Sequence, residues 1–152
     1  MWITDPFLLY AIEEQNIRHA DLTAEDIAAL DARWVIGDRT GAMIVDLLDR
    51  QASILLRDRR ERAGGVITEI IVMDRFGLNA AISDPTSDYY QGDEAKYQET
   101  FLIGPGAVHV SEIEFDESTG VVQTQVSMTV QDPQTGEPIG AVTFGIDLDA
   151  IE

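Results

Sequence analysis

The stretch Ile67 to Asp84, ITEIIVMDRFGLNAAISD, decides the fold. Val66 to Met73 is dense in β-branched residues, Asp74-Arg75-Phe76-Gly77 has the composition of a tight turn, and Leu78 to Ser83 forms a second apolar run. Two such runs joined by so short a link predict an antiparallel β-hairpin. Immediately upstream, Gly64 and Gly65 mark a change of period, since everything before them repeats with helical spacing and most of the chain after them alternates.

On the N-terminal side three helices are expected. Asp5 followed by Pro6 opens the first, with Phe7, Leu8, Ala11 and Ile12 as its apolar stripe. Thr23 with Asp26 three positions on resembles a capping box and starts the second, which carries Ile27, Leu30 and Trp34 and stops at Gly37. The third runs from about Thr40 to Arg62, with Met43, Ile44, Leu47, Leu48, Ile54 and Leu55 on its buried side. Its last turns hold Arg57, Arg59, Arg60 and Arg62, where positive charge complements the helix dipole.

On the C-terminal side the segment Asp84 to Phe101 is irregular and aromatic, with a short helix expected over Asp93 to Phe101. Three more strands come after it, at Val108–Phe115, Val121–Gln131 and Ile139–Asp147. Ser118 to Gly120 and the Pro133- and Gly136-containing link supply turns between them. Helices followed by an antiparallel meander predict an α+β fold, with N-terminal helices packed on a five-stranded antiparallel sheet. Residues 1–65 form the helical segment and 66–152 the sheet, together one globular unit of ordinary single-domain length.

Composition narrows the function. Hydrophobic residues at 45% and charged residues at 25% match folded domains, which excludes wholesale disorder. The net charge of -18 repels phosphate backbones and anionic lipid, so nucleic acid is not an expected partner. Residues 1–75 carry 14 acids and 9 bases, whereas 76–152 carry 14 acids and a single base, Lys96. Without cysteine there is no disulfide, thiolate metal site or thiol nucleophile. No apolar run is long enough to span a membrane, and the first twenty residues lack a signal-peptide pattern, so direct membrane insertion is not expected of this sequence.

Catalytic signatures are weak. A nucleophile relay would need His19 or His109, and neither follows a recognisable nucleophile turn. No cofactor motif is present, since Gly104-Pro105-Gly106 lacks the Lys-Ser/Thr that completes a phosphate loop. Glu112, Glu114, Asp116 and Glu117 offer hard oxygen ligands around a turn, which keeps a cation-binding domain as one alternative, although their spacing matches no EF-hand loop. An interaction module, with homodimerisation through the amphipathic N-terminal helices, is another.

Several stretches together resemble the Cache domains, PAS-like extracytoplasmic sensor modules of bacterial chemoreceptors and sensor kinases. The 67–84 hairpin resembles the family's opening hairpin, with Asp and Gly bracketing the turn. TSDYYQGDEAKYQETF, Thr86 to Phe101, resembles the aromatic loop and helix that cover the ligand pocket, and VQDPQTGEPIGAVTFGIDL, Val130 to Leu148, the closing hairpin with Gly140 after its turn. AIEEQNIRHADLTAEDIAALDARW, Ala11 to Trp34, is similar to the helical start of small single-Cache periplasmic proteins. The family's Arg-x-Trp-Tyr arrangement for holding amino-acid carboxylates is missing, and Lys96-Tyr97 stands in a comparable place.

The resemblance implies a periplasmic or extracellular signal-transduction domain that binds a small polar or anionic solute under the 84–101 loop, without enzymatic activity. The ligand-contacting residues it implies are Asp88, Tyr89, Tyr90, Lys96 and Tyr97 from the loop. Strand alternation adds Gln125 and Ser127, which share a polar face with Gln123 and Thr129, opposite Val122, Val126, Met128 and Val130.

Overall fold

The computed structural model describes residues 2–37, 41–116 and 120–151. A 3-10 turn at Trp2–Thr4 leads into α1 (Pro6–Arg18), α2 (Ala24–Gly37), α3 (Ala42–Leu48) and α4 (Gln51–Arg62). The hairpin β1 (Ile67–Asp74) and β2 (Asn79–Ile82) comes next, then α5 (Ala95–Gln98), β3 (Val108–Val110), β4 (Glu114–Asp116), β5 (Val121–Gln131) and β6 (Pro138–Asp147). A 3-10 turn at Leu148–Ala150 closes the described chain. The sheet is wholly antiparallel with order β2-β1-β6-β5-β3, and β4 also pairs with β5. The fold is therefore α+β, as expected.

Helix starts obey their local chemistry. Asp5 accepts a hydrogen bond from the Phe7 amide at 2.9 Å and Pro6 fills the first turn. Thr23 and Asp26 form a reciprocal box: each side chain accepts from the other's backbone amide, at 3.1 and 3.0 Å. Those bonds hold the Asp26 carboxyl below its ordinary range.

Four expectations are corrected. The stretch read as one helix from Thr40 is two, because Arg50 adopts an extended conformation (φ -66°, ψ 147°) between α3 and α4; Thr40 itself lies outside the described residues. At the break, the Ser53 hydroxyl donates to the Leu47 carbonyl at 2.7 Å, satisfying a helix-end acceptor. The third strand is split into β3 and β4, giving six strands in place of five, because Ser111 turns its side chain back onto β5, where its Oγ accepts from the Gln125 amide at 2.8 Å. The helix after the aromatic loop is one turn, Ala95–Gln98, and then gives way to turns. In α1 the stripe that faces the core is Leu8, Ala11, Ile12 and Gln15, while Phe7 is exposed, rotated off that face.

Both faces of the sheet are used. On one, α1 and α4 pack Leu8, Ile12, Ala52 and Leu56 against Ile70, Val72, Val130 and Val142. On the other, α2, α3 and the 84–101 segment pack Trp34, Ile44, Leu47, Tyr89 and Tyr97 against Ile71, Met73, Ile82 and Ala141. The α3–α4 break is thus where the chain passes from one face to the other. Gly140 allows the closest approach: a Cβ there would lie 2.2 Å from the Met73 carbonyl oxygen and 3.2 Å from the Ile12 side chain.

A buried polar hub ties helices to hairpin. The Asp74 carboxylate, fully buried, accepts through one oxygen from the amides of Phe76 (2.8 Å) and Leu78 (3.0 Å) across the turn, and through the other from Gln15 Nε2 (2.9 Å), that second oxygen lying 3.1 Å from His19 Nδ1. A bulge opposite Met73 inserts Ala80 into β2. Gln15 donates to the Asn79 carbonyl and Arg50 to the Ala80 carbonyl, and Arg50 also donates to Gln15 Oε1 at 2.8 Å. Replacing Asp74 with Ala strands several buried donors, each costing about 1–3 kcal/mol. D74A is expected to lose about 3 kcal/mol or more of unfolding free energy in urea denaturation, and a loss under about 1 kcal/mol would refute this hub.

Candidate functional site

The alternation read from the sequence of β5 is realised in the sheet. Pairing sets Val126 opposite Phe144 and Met128 opposite Val142, on the α1/α4 side, and Gln125 opposite Gly145, Ser127 opposite Thr143 and Thr129 opposite Ala141 on the other. That second side is where the 84–101 segment folds over the sheet. The floor beneath it is polar in its centre. Ser127 and Thr143 are fully buried and share a 2.8 Å hydroxyl–hydroxyl bond. Gln125 is half-buried and donates from Nε2 towards Glu69 Oε1 at 3.4 Å, while Thr129 donates to the Gly104 carbonyl at 2.8 Å. His109 of β3 is half-buried and paired with Ser127.

The segment is held from three directions, and its residues 86–91 run along the outer edge of β2, which β1 and β6 separate from β5. Asp31 of α2 accepts from the amides of both Tyr89 and Tyr90, each at 2.9 Å. The Asn79 amide donates to the Tyr89 carbonyl, the Gln91 amide to the Gly77 carbonyl, and Asn79 Nδ2 to Thr86 Oγ1 and the Asp88 carbonyl, so residues 86–91 cling to the edge of β2. Gly77 is required there: its φ is +80°, and a Cβ would come within 2.6 Å of the Gly92 backbone. Finally, the Tyr97 hydroxyl donates to the Arg75 carbonyl at 2.5 Å.

The seven residues expected to contact a ligand therefore fall into two sets. Tyr89 and Tyr97 are buried in the core, Tyr89 stacked on Trp34 with ring centroids 5.1 Å apart and Tyr97 on Phe101 at 5.4 Å. Ser127 is engaged with Thr143 at the centre of the floor. Asp88, Tyr90, Lys96 and Gln125 are half-buried. Burial, followed by the charges of Asp31 and Asp93, holds the Asp88 carboxyl above its ordinary range, opposed by Lys96. Burial likewise raises Glu94, with Lys96 again opposing and Asp93, Asp88 and Asp31 adding to the rise. Lys96 thus stands among carboxylates that its charge partly stabilises.

Sequence reasoning missed Asp31, Glu94 and Thr143. Asp31 reads as one more solvated acid on a helix, and only the docking of α2 brings it to the loop. Thr143 had a signal in the alternation of the last strand, but its partner Ser127 could be assigned only once the β5–β6 register was known. Of the acids considered for a cation, Glu117 lies outside the described residues, and among the described residues no three His, Asp or Glu side chains converge to hold a metal. His19 belongs to the Asp74 hub.

Burial also pushes the Tyr89 and Tyr97 phenols up to about 12, with the Asp74 charge adding to both. Because the folded state keeps these protons after the unfolded chain loses them near the ordinary value of about 10, stability falls as pH rises from about 10 towards 12. Ultraviolet titration at 295 nm should show two of the four tyrosines ionising late. Replacing Tyr89 and Tyr97 by Phe should abolish that late phase, and a late phase that survives would contradict the burial of these two rings.

No protein-family model matches the chain, and no curated protein matches it either. Its structure is similar to solved sensor domains. The sensory domain of the Campylobacter jejuni chemoreceptor Tlp3 aligns with a TM-score of 0.51 at 15% identity, covering 95% of this chain and 58% of that one. The ligand-binding domain of the Pseudomonas aeruginosa amino-acid chemoreceptor PctC, in complex with GABA, aligns at 0.47 and 16% identity over 94% and 58% of the two chains. The sensor domain of the Vibrio cholerae histidine kinase DctB aligns at 0.46 and 16% over 93% and 56%. The chain spans a little over half the length of these domains. Its helices, hairpin and antiparallel sheet thus share the fold of the chemoreceptor sensory domain that aligns at 0.51.

Proposed function

We propose that this domain is an extracytoplasmic sensor module that binds a small polar solute between the polar floor of the sheet and the 84–101 segment. The observation that carries the reading is the state of the loop. A stretch with almost no regular structure is pinned over the sheet by Asp31, Asn79 and Tyr97, and it holds the ionisable groups of Asp88, Glu94 and Lys96 half out of water. Partly desolvated charges are where binding sites concentrate. Asp88, Tyr90 and Lys96 supply polar contacts from the loop and Gln125 one from the sheet. Tyr89 and Tyr97 act as the rigid frame that holds the loop. Lys96 serves an anionic group of the solute, and Asp88 with Glu94 an amino or hydroxyl group.

The likeness in fold to a chemoreceptor sensory domain supports a role in signal transduction outside the cytoplasm. Among the described residues no helix is long and apolar enough to cross a membrane. Signalling would then be a population shift, solute contacts favouring a closed loop whose Asp31 anchor passes the change to α2.

Pairing of two copies through α1 is a second reading. A groove of about 640 Å³ lies on the opposite side of the molecule from the loop, lined by Phe7, Tyr10, Ala11, Glu14, Arg50 and Ala52, with Phe7 and Tyr10 exposed beside it.

Thermal-shift screening against amino acids, amines, carboxylates and polyols tests the first reading. A solute at a hundred times its Kd stabilises by about 2.7 kcal/mol, which raises Tm by several degrees in a chain of this size. Lys96→Ala and Gln125→Ala should each remove that shift while the unliganded protein still unfolds cooperatively, with a Tm loss of a few degrees at most, since a half-buried polar truncation costs about 1 kcal/mol. If no solute shifts Tm across the panel, the binding reading is wrong.

A further inference from the structure

The groove of about 640 Å³ between α1 and the start of α4 has apolar walls and a cation among them. Ala11 and Ala52 are buried where they line it, and their small side chains leave space that larger residues would fill. Phe7 and Tyr10 rise beside them, 61% and 69% exposed. A hollow of this size, apolar but for a few fixed polar groups, has the character of a small-molecule site.

Arg50 supplies the polar group. It is half-buried, and its Nη1 donates to Gln15 Oε1 and to the Ala80 carbonyl, which fixes the guanidinium in place. Nε and Nη2 bond to none of the described residues, and no carboxylate among them pairs with this arginine, Gln15 standing between it and Asp74. Those two nitrogens form the edge with which an arginine takes a carboxylate through parallel bonds. Glu14, which also lines the groove, is bonded to Arg18. Helix α4 opens at the same place without a capping side chain, so its first amides add positive potential. With Arg50, α1 and α4 hold six arginines and four carboxylates, against four bases and 24 acids in the rest of the chain. An anion is therefore repelled less here than over the rest of the molecule.

We infer that this groove is a second binding site, for an amphiphilic carboxylate: an aromatic or medium-chain acid whose carboxylate pairs with the Nε–Nη2 edge of Arg50 and whose apolar body lies against Phe7, Tyr10, Ala11 and Ala52. Such an acid brings its own counter-charge to Arg50, which an apolar contact between two copies does not. The site lies on the opposite face of the sheet from the 84–101 segment and stands whether or not a solute binds there.

Isothermal titration calorimetry of the full chain with 4-phenylbutyrate and with 4-phenylbutanol tests this. The acid is expected to bind saturably, and the alcohol, which keeps the apolar body and loses the charge, about tenfold more weakly or worse. Phe7→Ser with Tyr10→Ser should weaken the acid by about tenfold through lost apolar contact. Both side chains are exposed, so the variant keeps its fold, which an unchanged Tm checks. Arg50→Lys, which keeps the charge and gives up the paired bonds, should cost several-fold. Lys96→Ala and Gln125→Ala should leave the acid's affinity as it was, which separates this groove from the solute site. Absence of saturable binding, equal binding of the alcohol, or loss of binding in Lys96→Ala would overturn the inference. So would a dimer in sedimentation that Phe7→Ser with Tyr10→Ser abolishes and that 4-phenylbutyrate leaves intact, by assigning the groove to a second copy.

Discussion

The Asp74 carboxylate is the constraint around which the rest is arranged. It sits at the end of β1 with no exposure to water, and a buried carboxylate is tolerated only where its oxygens are met by donors. Two of those donors are amides of the hairpin turn, which sets the turn's geometry. The others, Gln15 and His19, come from α1 and the residue that caps it, which sets the helix across the sheet. Gln15 then continues the network to the bulge in β2 and to Arg50, so one charge fixes the positions of the first helix, the α3–α4 break and the hairpin together.

From that arrangement comes the unusual division of labour between the two faces. The chain is extended at Arg50, whose side chain reaches the bulge, and α3 and α4 lie on opposite sides of the sheet. With α2 and α3 on the loop's side, Asp31 is brought against the amides of Tyr89 and Tyr90, and the loop is secured by a helix that begins more than fifty residues earlier. With only α1 and α4 on the other side, the start of α4 meets α1 beside Arg50, which leaves the groove that Phe7 and Tyr10 flank. The candidate solute site and the candidate acid site are thus both consequences of how four short helices were shared between two faces.

Local chemistry was readable in the sequence wherever the interactions are local. The Asp5-Pro6 start, the Thr23–Asp26 box, the Asp74–Gly77 turn and the alternation of β5 all concern residues within a few positions of each other, and each appears as expected. The failures have an equally physical origin. Arg50 has ordinary helix propensity and sits in a run with continuous helical periodicity, so nothing nearby marks a break; its side chain there bonds a carbonyl on β2, thirty residues away. Val108 to Phe115 reads as one strand because its β-propensity is unbroken, whereas Ser111 diverts it by bonding to β5.

Residue types and their periods were enough to establish an acidic α+β chain, the hairpin at its centre and the polar face of β5, since these depend on backbone stereochemistry and on which side chains can leave water. Which tyrosines form the frame and which stay half-open, that Asp31 anchors the loop, that Ser127 meets Thr143, and that α1 and α4 leave a groove with Arg50 in it were decided in three dimensions. Each depends on a pairing between residues far apart in the chain, and the partner in such a pairing is chosen by strand register and helix placement, to which no local pattern gives access.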